Sequence, residues 1–218
     1  MGWDEFQQAC GRAELVFFGI ERAVDVARDA SLPRGPDQAP IAERLRYWAL
    51  FDQIWRGAMQ PATGKDKAPP LDELGQTALR LMVMPRIDEL DRAHTEKLKA
   101  YVQQSGWPGI SQVGEGAATD AFLIVQHAAH DPLFQYQVLK LMQPMLAQGD
   151  VAPRPYAFLY DRVMLFATGR QRYGSQFICR GGAYELAPLE DETNVEDLRR
   201  QMGLPPLQEY RAMMPGRC

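Results

Sequence analysis

The chain has 218 residues, of which 28 are acidic and 24 basic, and its formal net charge is -4. This length suffices for one large domain or two small ones with a real core. A content of 46% hydrophobic and 24% charged residues is typical of a soluble globular protein. The lack of a basic excess argues against a nucleic-acid partner. No apolar run approaches the roughly 18 residues of a membrane-spanning helix, so we expect no membrane partner.

The N-terminus and the cysteines favour a cytoplasmic location. The opening MGWDEFQQAC is acidic early and lacks the basic and then apolar segments of a signal peptide. Cys10, Cys179 and Cys218 are odd in number and far apart, which favours reduced thiols over a disulfide framework.

The N-terminal part of the sequence predicts helices separated by proline-rich breaks. Residues 3–29 show a helical repeat of apolar positions, and three prolines in 31–40 end it. A second helix follows, with Trp48 and Trp55 on its apolar stripe and therefore in the core. Asp52 and Arg56, four apart on this helix, are predicted to pair. We interpret 1–40 as an N-terminal helix and linker, and 41–218 as one helical core domain.

The middle of the chain alternates between loops and helices. Residues 60–72 combine proline, glycine and charge, which predicts a surface loop, mobile over 60–70. A third helix is expected from a cap at Asp72 to Pro85, which should kink or end it, with a helical continuation over 86–104. His94 lies on the apolar face of that continuation. Residues 105–109 stop it, and Trp107 is expected in the core.

The C-terminal half predicts helices over 115–129, 133–148 and 156–167, the second capped by Asp131. Gly181-Gly182 between two short apolar segments predicts a β-hairpin over 175–188. Asn194 is expected to cap a helix through Met202, and a short helix follows over 207–213. The predicted fold class is therefore mainly α, a multi-helix domain with one small β-hairpin near the C-terminus.

Polar residues concentrate between Ile124 and Gln176, which marks the candidate site. His127 and Asp131 are four apart and would share one face of a helix. A carboxylate from Asp131 or Asp161 could orient the imidazole as a general base. The catalytic candidates are therefore His127, Asp131 and Asp161. The alternative is a buried histidine that a carboxylate satisfies in a structural network.

A second group of residues suggests recognition of a ligand. The candidate ligand-binding residues are Arg162, Gln171, Arg172, Tyr173 and Gln176. Arginine can hold a carboxylate or phosphate through two hydrogen bonds, and glutamine offers both a donor and an acceptor. The alternative is a turn that ties the hairpin to the helices. The density of polar side chains in one tight loop favours recognition.

Other chemistries find weaker support. A metal could be ligated by His127, His130 and Asp131, together with Asp161 or His94. However, HxxH without a glutamate is a loose pattern, and we predict no metal site. Ser175 and Cys179 lack the sequence context of a nucleophile. No motif indicates a cofactor.

Six ordered motifs carry a resemblance to a known family. They are GWPG (106–109), VGEGAA (113–118), VQHAAHD (125–131), YAFLYDR (156–162), GRQRYGSQ (169–176) and NVEDLRRQMGLPPLQEY (194–210). With them the chain resembles an uncharacterised bacterial family, one of the numbered domains of unknown function, over roughly 45–210. The resemblance implies no activity.

The sequence leaves two functions open. The first is a helical protein whose His/Asp/Arg/Gln pocket binds a small-molecule or peptide-like ligand and acts on it by acid-base chemistry. The second is a non-catalytic interaction or regulatory module whose polar core is structural. An open pocket with His127, Asp161 and Arg162 would favour the first, and full burial with every group paired would favour the second.

Overall fold

The computed structural model describes residues 2–31, 38–58 and 71–214. Their elements, in chain order, are α1 (Trp3–Ser31), α2 (Ile41–Gly57), α3 (Glu73–Ser105), α4 (Ile110–Val113), α5 (Glu115–His127), α6 (Pro132–Ala147), α7 (Pro153–Thr168), β1 (Phe177–Arg180), β2 (Ala183–Leu186), α8 (Val195–Gln201) and α9 (Leu207–Ala212). The predicted fold class, mainly α with one small hairpin near the C-terminus, is confirmed. The predicted mobile segment 60–70, and positions 32–37 of the predicted linker, lie outside the described residues.

The chain divides into two compact units, Met1–Lys97 and Leu98–Cys218. The boundary falls within α3. None of the helices in the described ranges has the length and hydropathy that a bilayer span requires.

The first unit contains α1, α2 and the N-terminal part of α3. Its core consists of buried apolar side chains from all three helices: Ala13, Ile20, Val24, Phe51, Trp55, Ala78, Leu79, Val83 and Ile87. Helices α1 and α3 run parallel, because Arg12 pairs with Asp72 at 2.7 Å and Glu21, further along α1, pairs with Arg86 at 3.6 Å. Three amphipathic helices around one apolar core explain the sequence periodicity.

Local signals in this unit follow the sequence prediction at Asp72 and at the Asp52–Arg56 pair, and Pro85 does not end the helix that it is expected to kink or end. Asp72 accepts a hydrogen bond from the Gly75 N–H at 2.8 Å and caps α3, as predicted. The predicted Asp52–Arg56 pair forms at 2.8 Å. Pro85 does not end the helix, because α3 continues through it to Ser105. Proline removes one N–H donor there, and the helix of 33 residues continues on both sides of it.

Helices α4 to α7 form the body of the second unit. Helix α6 packs against both α5 and α7, and α4 and α7 also contact α5. Phe122, Val125, Phe134, Val138 and Leu159 are among the buried apolar residues of this bundle. A buried hydrogen bond also joins α6 to α5, because the Gln135 side chain donates to the carbonyl of Val125 at 2.9 Å.

The predicted hairpin follows the bundle and is confirmed. Strands β1 and β2 are antiparallel, with Phe177 opposite Leu186 and Arg180 opposite Ala183. Both glycines of the turn, Gly181 and Gly182, have positive φ, which suits a two-residue hairpin turn. Helices α8 and α9 then pack against each other.

The cysteines differ from the prediction at one position. Cys179, on β1, is disulfide-bonded, so the expectation of reduced thiols is wrong for this residue. Distance along the sequence does not limit which cysteines a fold brings together. Cys10 is a free thiol, as expected. Cys218 lies outside the described residues.

Candidate functional site

The first half of the predicted catalytic group lies at a junction between two helices. His127 is the last residue of α5, and Asp131 is the N-cap of α6. The prediction that both residues share one helical face is therefore wrong. The Asp131 carboxylate accepts a hydrogen bond from the Phe134 N–H at 3.0 Å, and Pro132 occupies the first turn of α6. A capping aspartate followed by proline starts a new helix rather than continuing the old one.

The other contacts of Asp131 are structural as well. Its second carboxylate oxygen accepts a hydrogen bond from the Lys99 ammonium at 2.6 Å. This bond and the N–H of Phe134 hold the pKa of Asp131 below its usual range, although partial burial opposes the shift. Gln135, on the first turns of α6, donates to the carbonyls of Val125 and Gln126. The segment that contains His127 and Asp131 thus joins two helices.

Asp161 has no exposed surface and holds the loop that follows α7. One carboxylate oxygen accepts the backbone N–H groups of Arg172 at 2.8 Å and Tyr173 at 2.9 Å. The other oxygen accepts the N–H of Ser175 at 2.8 Å. We call the backbone of residues 172–175 around this carboxylate the Asp161 loop. One buried side chain therefore accepts three backbone N–H groups of this loop.

Burial and hydrogen bonding shift the pKa of Asp161 in opposite directions. Burial penalises the charged carboxylate, and the three N–H donors stabilise it. The net effect is a pKa above the usual value, with burial as the largest cause. Both carboxylate oxygens accept backbone N–H groups, so the contacts of Asp161 in this loop are structural.

Gln171 repeats this arrangement on the other side of the loop. Its side chain is fully buried, and its amide donates to the carbonyls of Gln176 and Ala187, both at 2.9 Å. Its amide oxygen accepts the N–H of Gln176 at 2.8 Å. The Gln176 side chain, half-buried, donates to the Ser175 hydroxyl at 3.0 Å. Gln171 therefore connects the loop to both ends of the hairpin.

Arg172 and Tyr173 complete the predicted ligand-binding group. The Arg172 guanidinium lies over the Tyr160 ring at 4.4 Å and donates to Glu190 at 2.9 Å. Tyr173 is buried and meets Tyr160 edge to face at 5.6 Å. Burial raises the pKa of Tyr173 to about 12, so its phenol stays protonated at neutral pH. Arg162, the remaining predicted residue, is half-buried on α7 next to Asp161.

Sequence reasoning missed Arg199, the centre of this network. It is 1% exposed and donates to the carbonyls of Tyr173 at 2.6 Å, Gly174 at 3.2 Å and Pro205 at 2.8 Å. Its guanidinium also lies 5.1 Å from the Tyr210 ring centre. The missed signal is helical spacing. Arg199 occupies the apolar face of α8, which also carries Val195 and Leu198.

The structure thus brings together Asp161, Gln171, Arg172, Tyr173 and Gln176, and it fills their hydrogen-bonding groups mainly with backbone. Asp131 lies in a separate helix cap with Lys99. The side chains of Asp161, Gln171 and Arg199 bind the backbone of the loop and of the residues that flank it, so this arrangement can fix the loop and the hairpin in place.

Comparison with known sequences identifies the relatives of this chain. Residues 66–216 match the family described as "Family of unknown function (DUF6624)". The chain belongs to this family. The DUF6624 match includes the whole Asp161 loop and begins after α2. No curated protein and no solved structure matches the chain.

Proposed function

We propose that this DUF6624 protein is a non-catalytic interaction or regulatory module whose C-terminal polar network is structural. One observation carries the proposal: Asp161 has no exposed surface, and three backbone N–H groups occupy its two oxygens. A buried group with all of its partners inside the protein stabilises one conformation and meets no ligand.

The acid-base alternative is supported less well. It requires a histidine that contacts a substrate and a carboxylate that orients the imidazole ring. Asp161 is occupied by the loop, and Asp131 by Lys99 and the α6 backbone.

The test separates turnover from folding. The wild-type protein and the Asp161→Asn variant are incubated with a bacterial metabolite extract, and consumption of each compound is followed by mass spectrometry. In parallel, hydrogen exchange is measured at the amides of Arg172, Tyr173 and Ser175. We expect no compound to be consumed by either protein, and faster exchange at these amides in the variant.

The opposite pattern would overturn the proposal. In that pattern the wild type consumes a metabolite catalytically and the folded Asp161→Asn variant does not. Hydrogen exchange at the loop amides is then the same in both proteins. His127→Ala serves as the matched second variant, because it alters another predicted catalytic residue, which lies at the end of α5.

We also propose a cytoplasmic location. The free thiol of Cys10 supports it, because reducing compartments keep cysteines as thiols. The disulfide of Cys179 counts against it, because disulfides persist mainly in oxidising compartments. Alkylation of thiols in intact cells, followed by mass spectrometry, decides the matter. A modified Cys179 supports the cytoplasm, and a protected Cys179 contradicts it.

A further inference from the structure

The first unit contains a cleft of about 550 Å³ that the candidate site does not include. This volume lies within the range typical of sites for small organic ligands. Helix α2 supplies an aromatic wall made of Tyr47, Phe51 and Trp55, one helical turn apart. Val24 from α1 and Leu90 from α3 add apolar surface. An apolar ring or chain would lose its contact with water on entering this cleft.

Charged side chains divide the cleft into two ends. At one end Arg86 lies between two carboxylates, 3.6 Å from Glu21 and 3.4 Å from Glu89. Lys97 lies eleven residues further along α3, which is about 16 Å along the helix axis. Because α1 runs parallel to α3, Arg28 is also displaced from Glu21 toward the Lys97 end.

The Lys97 end carries a net positive charge. Arg28 pairs there with Asp25 at 2.9 Å. Lys97 has no carboxylate partner within the described ranges, and its ammonium lies 5.8 Å from the centre of the Trp48 ring. Two cations, Arg28 and Lys97, and one carboxylate, Asp25, line this end, so one positive charge has no counter-charge. The Arg86 end has two carboxylates and one cation, and therefore one excess negative charge.

His94 lies at the same end and is 95% buried, with 5% of its surface exposed. Its ring stacks on Trp48 at 6.1 Å, and no hydrogen bond joins it to another residue in the described part of the chain. Burial, with the nearby Lys97, lowers the pKa of His94 to about 4, although Asp52 opposes the shift. The ring is therefore neutral at pH 7 and offers one N–H donor to a cleft occupant.

We propose that this cleft binds a small organic carboxylate with an aromatic or aliphatic body. The carboxylate lies at the end formed by Arg28, His94 and Lys97, and the body lies against the aromatic wall of α2. A monoanion matches the single uncompensated positive charge, and the buried imidazole supplies a hydrogen bond that fixes its orientation. This site is independent of the Asp161 loop, so either proposal can fail alone.

Isothermal titration calorimetry of the full chain tests the proposal with a carboxylate, a neutral amide of the same shape and a shorter phenyl dianion. They are 4-phenylbutyrate, its neutral amide 4-phenylbutyramide, and phenyl phosphate as the dianion. We expect the carboxylate to bind with a Kd below about 1 mM and the amide to bind at least about tenfold more weakly. Lys97→Met should weaken carboxylate binding by about tenfold. Lys140→Met, at an exposed position of α6, is the matched control and should not change the affinity for the carboxylate.

His94 provides a readout that does not depend on a variant that folds. Nitrogen-detected NMR of the wild-type imidazole should show a shift of its N–H resonance when 4-phenylbutyrate is added, and no shift with the amide. Equal affinity for the carboxylate and the amide would overturn the proposal, as would tighter binding of phenyl phosphate or no binding of 4-phenylbutyrate at about 5 mM. An unchanged Kd in Lys97→Met would overturn the assigned position of the carboxylate.

Discussion

Replacement of Asp161 by asparagine is the sharpest perturbation of the structural network. The substitution keeps the size of the side chain and removes one of its two acceptor oxygens. In the wild type, one oxygen serves Arg172 and Tyr173 and the other serves Ser175. The asparagine amide must turn its NH₂ group toward one of these two sites, where it meets a backbone N–H.

The expected loss of stability follows from the number of backbone N–H groups that lose their acceptor. In the better orientation the asparagine oxygen keeps Arg172 and Tyr173, and the buried N–H of Ser175 loses its acceptor. A buried unsatisfied donor costs about 1–3 kcal/mol. Asp161→Ala leaves all three donors without an acceptor and should cost more, about 3 kcal/mol or above. Removal of the charge recovers part of this loss, because burial already disfavours the ionised carboxylate.

The loss of folding free energy in both variants is measured by urea unfolding, with hydrogen exchange at single amides as the probe. Site-resolved exchange is needed, because a chain with two compact units need not unfold in one step. Asp197→Asn is the control, since Asp197 is an exposed partner of Arg200 and should cost no more than about 0.5 kcal/mol. If Asp161→Asn and Asp197→Asn lowered the stability equally, the structural role of Asp161 would be refuted.

Three further predictions concern other parts of the chain. The free energy of unfolding should fall by about 3 kcal/mol as the pH drops from 6.5 to 4, because only the unfolded state protonates His94 in that window; a flat stability profile in urea titrations over this range would contradict the lowered pKa. Gly174→Ala should cost about 1–2 kcal/mol in thermal unfolding, because Gly174 has φ +69° and an added Cβ would lie 3.0 Å from Leu207; an unchanged Tm would reject this. Lys99→Met should raise the pKa of Asp131, measured by carboxyl NMR, and lower stability by about 1 kcal/mol; a constant pKa would show that the ion pair is unimportant.

The fold could be predicted because its signals are local. The helical spacing of apolar residues, the cap at Asp72 and the turn at Gly181-Gly182 each act within a few positions of the chain. The sequence predicts Asp131 as the cap of the helix over 133–148, and it also predicts His127 and Asp131 on one helical face. These two predictions conflict, since a capping residue lies outside the helix that precedes it.

The function of the polar residues depends on tertiary contacts that spacing does not reveal. The sequence correctly groups Asp161 with 171–176, but it does not say whether these side chains face their own backbone or a ligand. The role of Arg199 depends on carbonyls 25 and 26 positions away. The cleft of the first unit was missed for the same reason, because its walls come from three helices and its charged residues look like ordinary solvated helix faces.

The short sequence separations around Asp161 have a kinetic consequence. Its three hydrogen bonds close loops of only 11, 12 and 14 residues, and segments of this size close in about 10–100 ns. The contact of Arg199 with Tyr173 spans 26 residues and requires α8 to have docked. The Asp161 loop can therefore form before α8 arrives and present the carbonyls that Arg199 then binds. In stopped-flow experiments Asp161→Asn should mainly slow refolding, whereas Arg199→Met should mainly accelerate unfolding, and the reverse pattern would assign the earlier contact to α8.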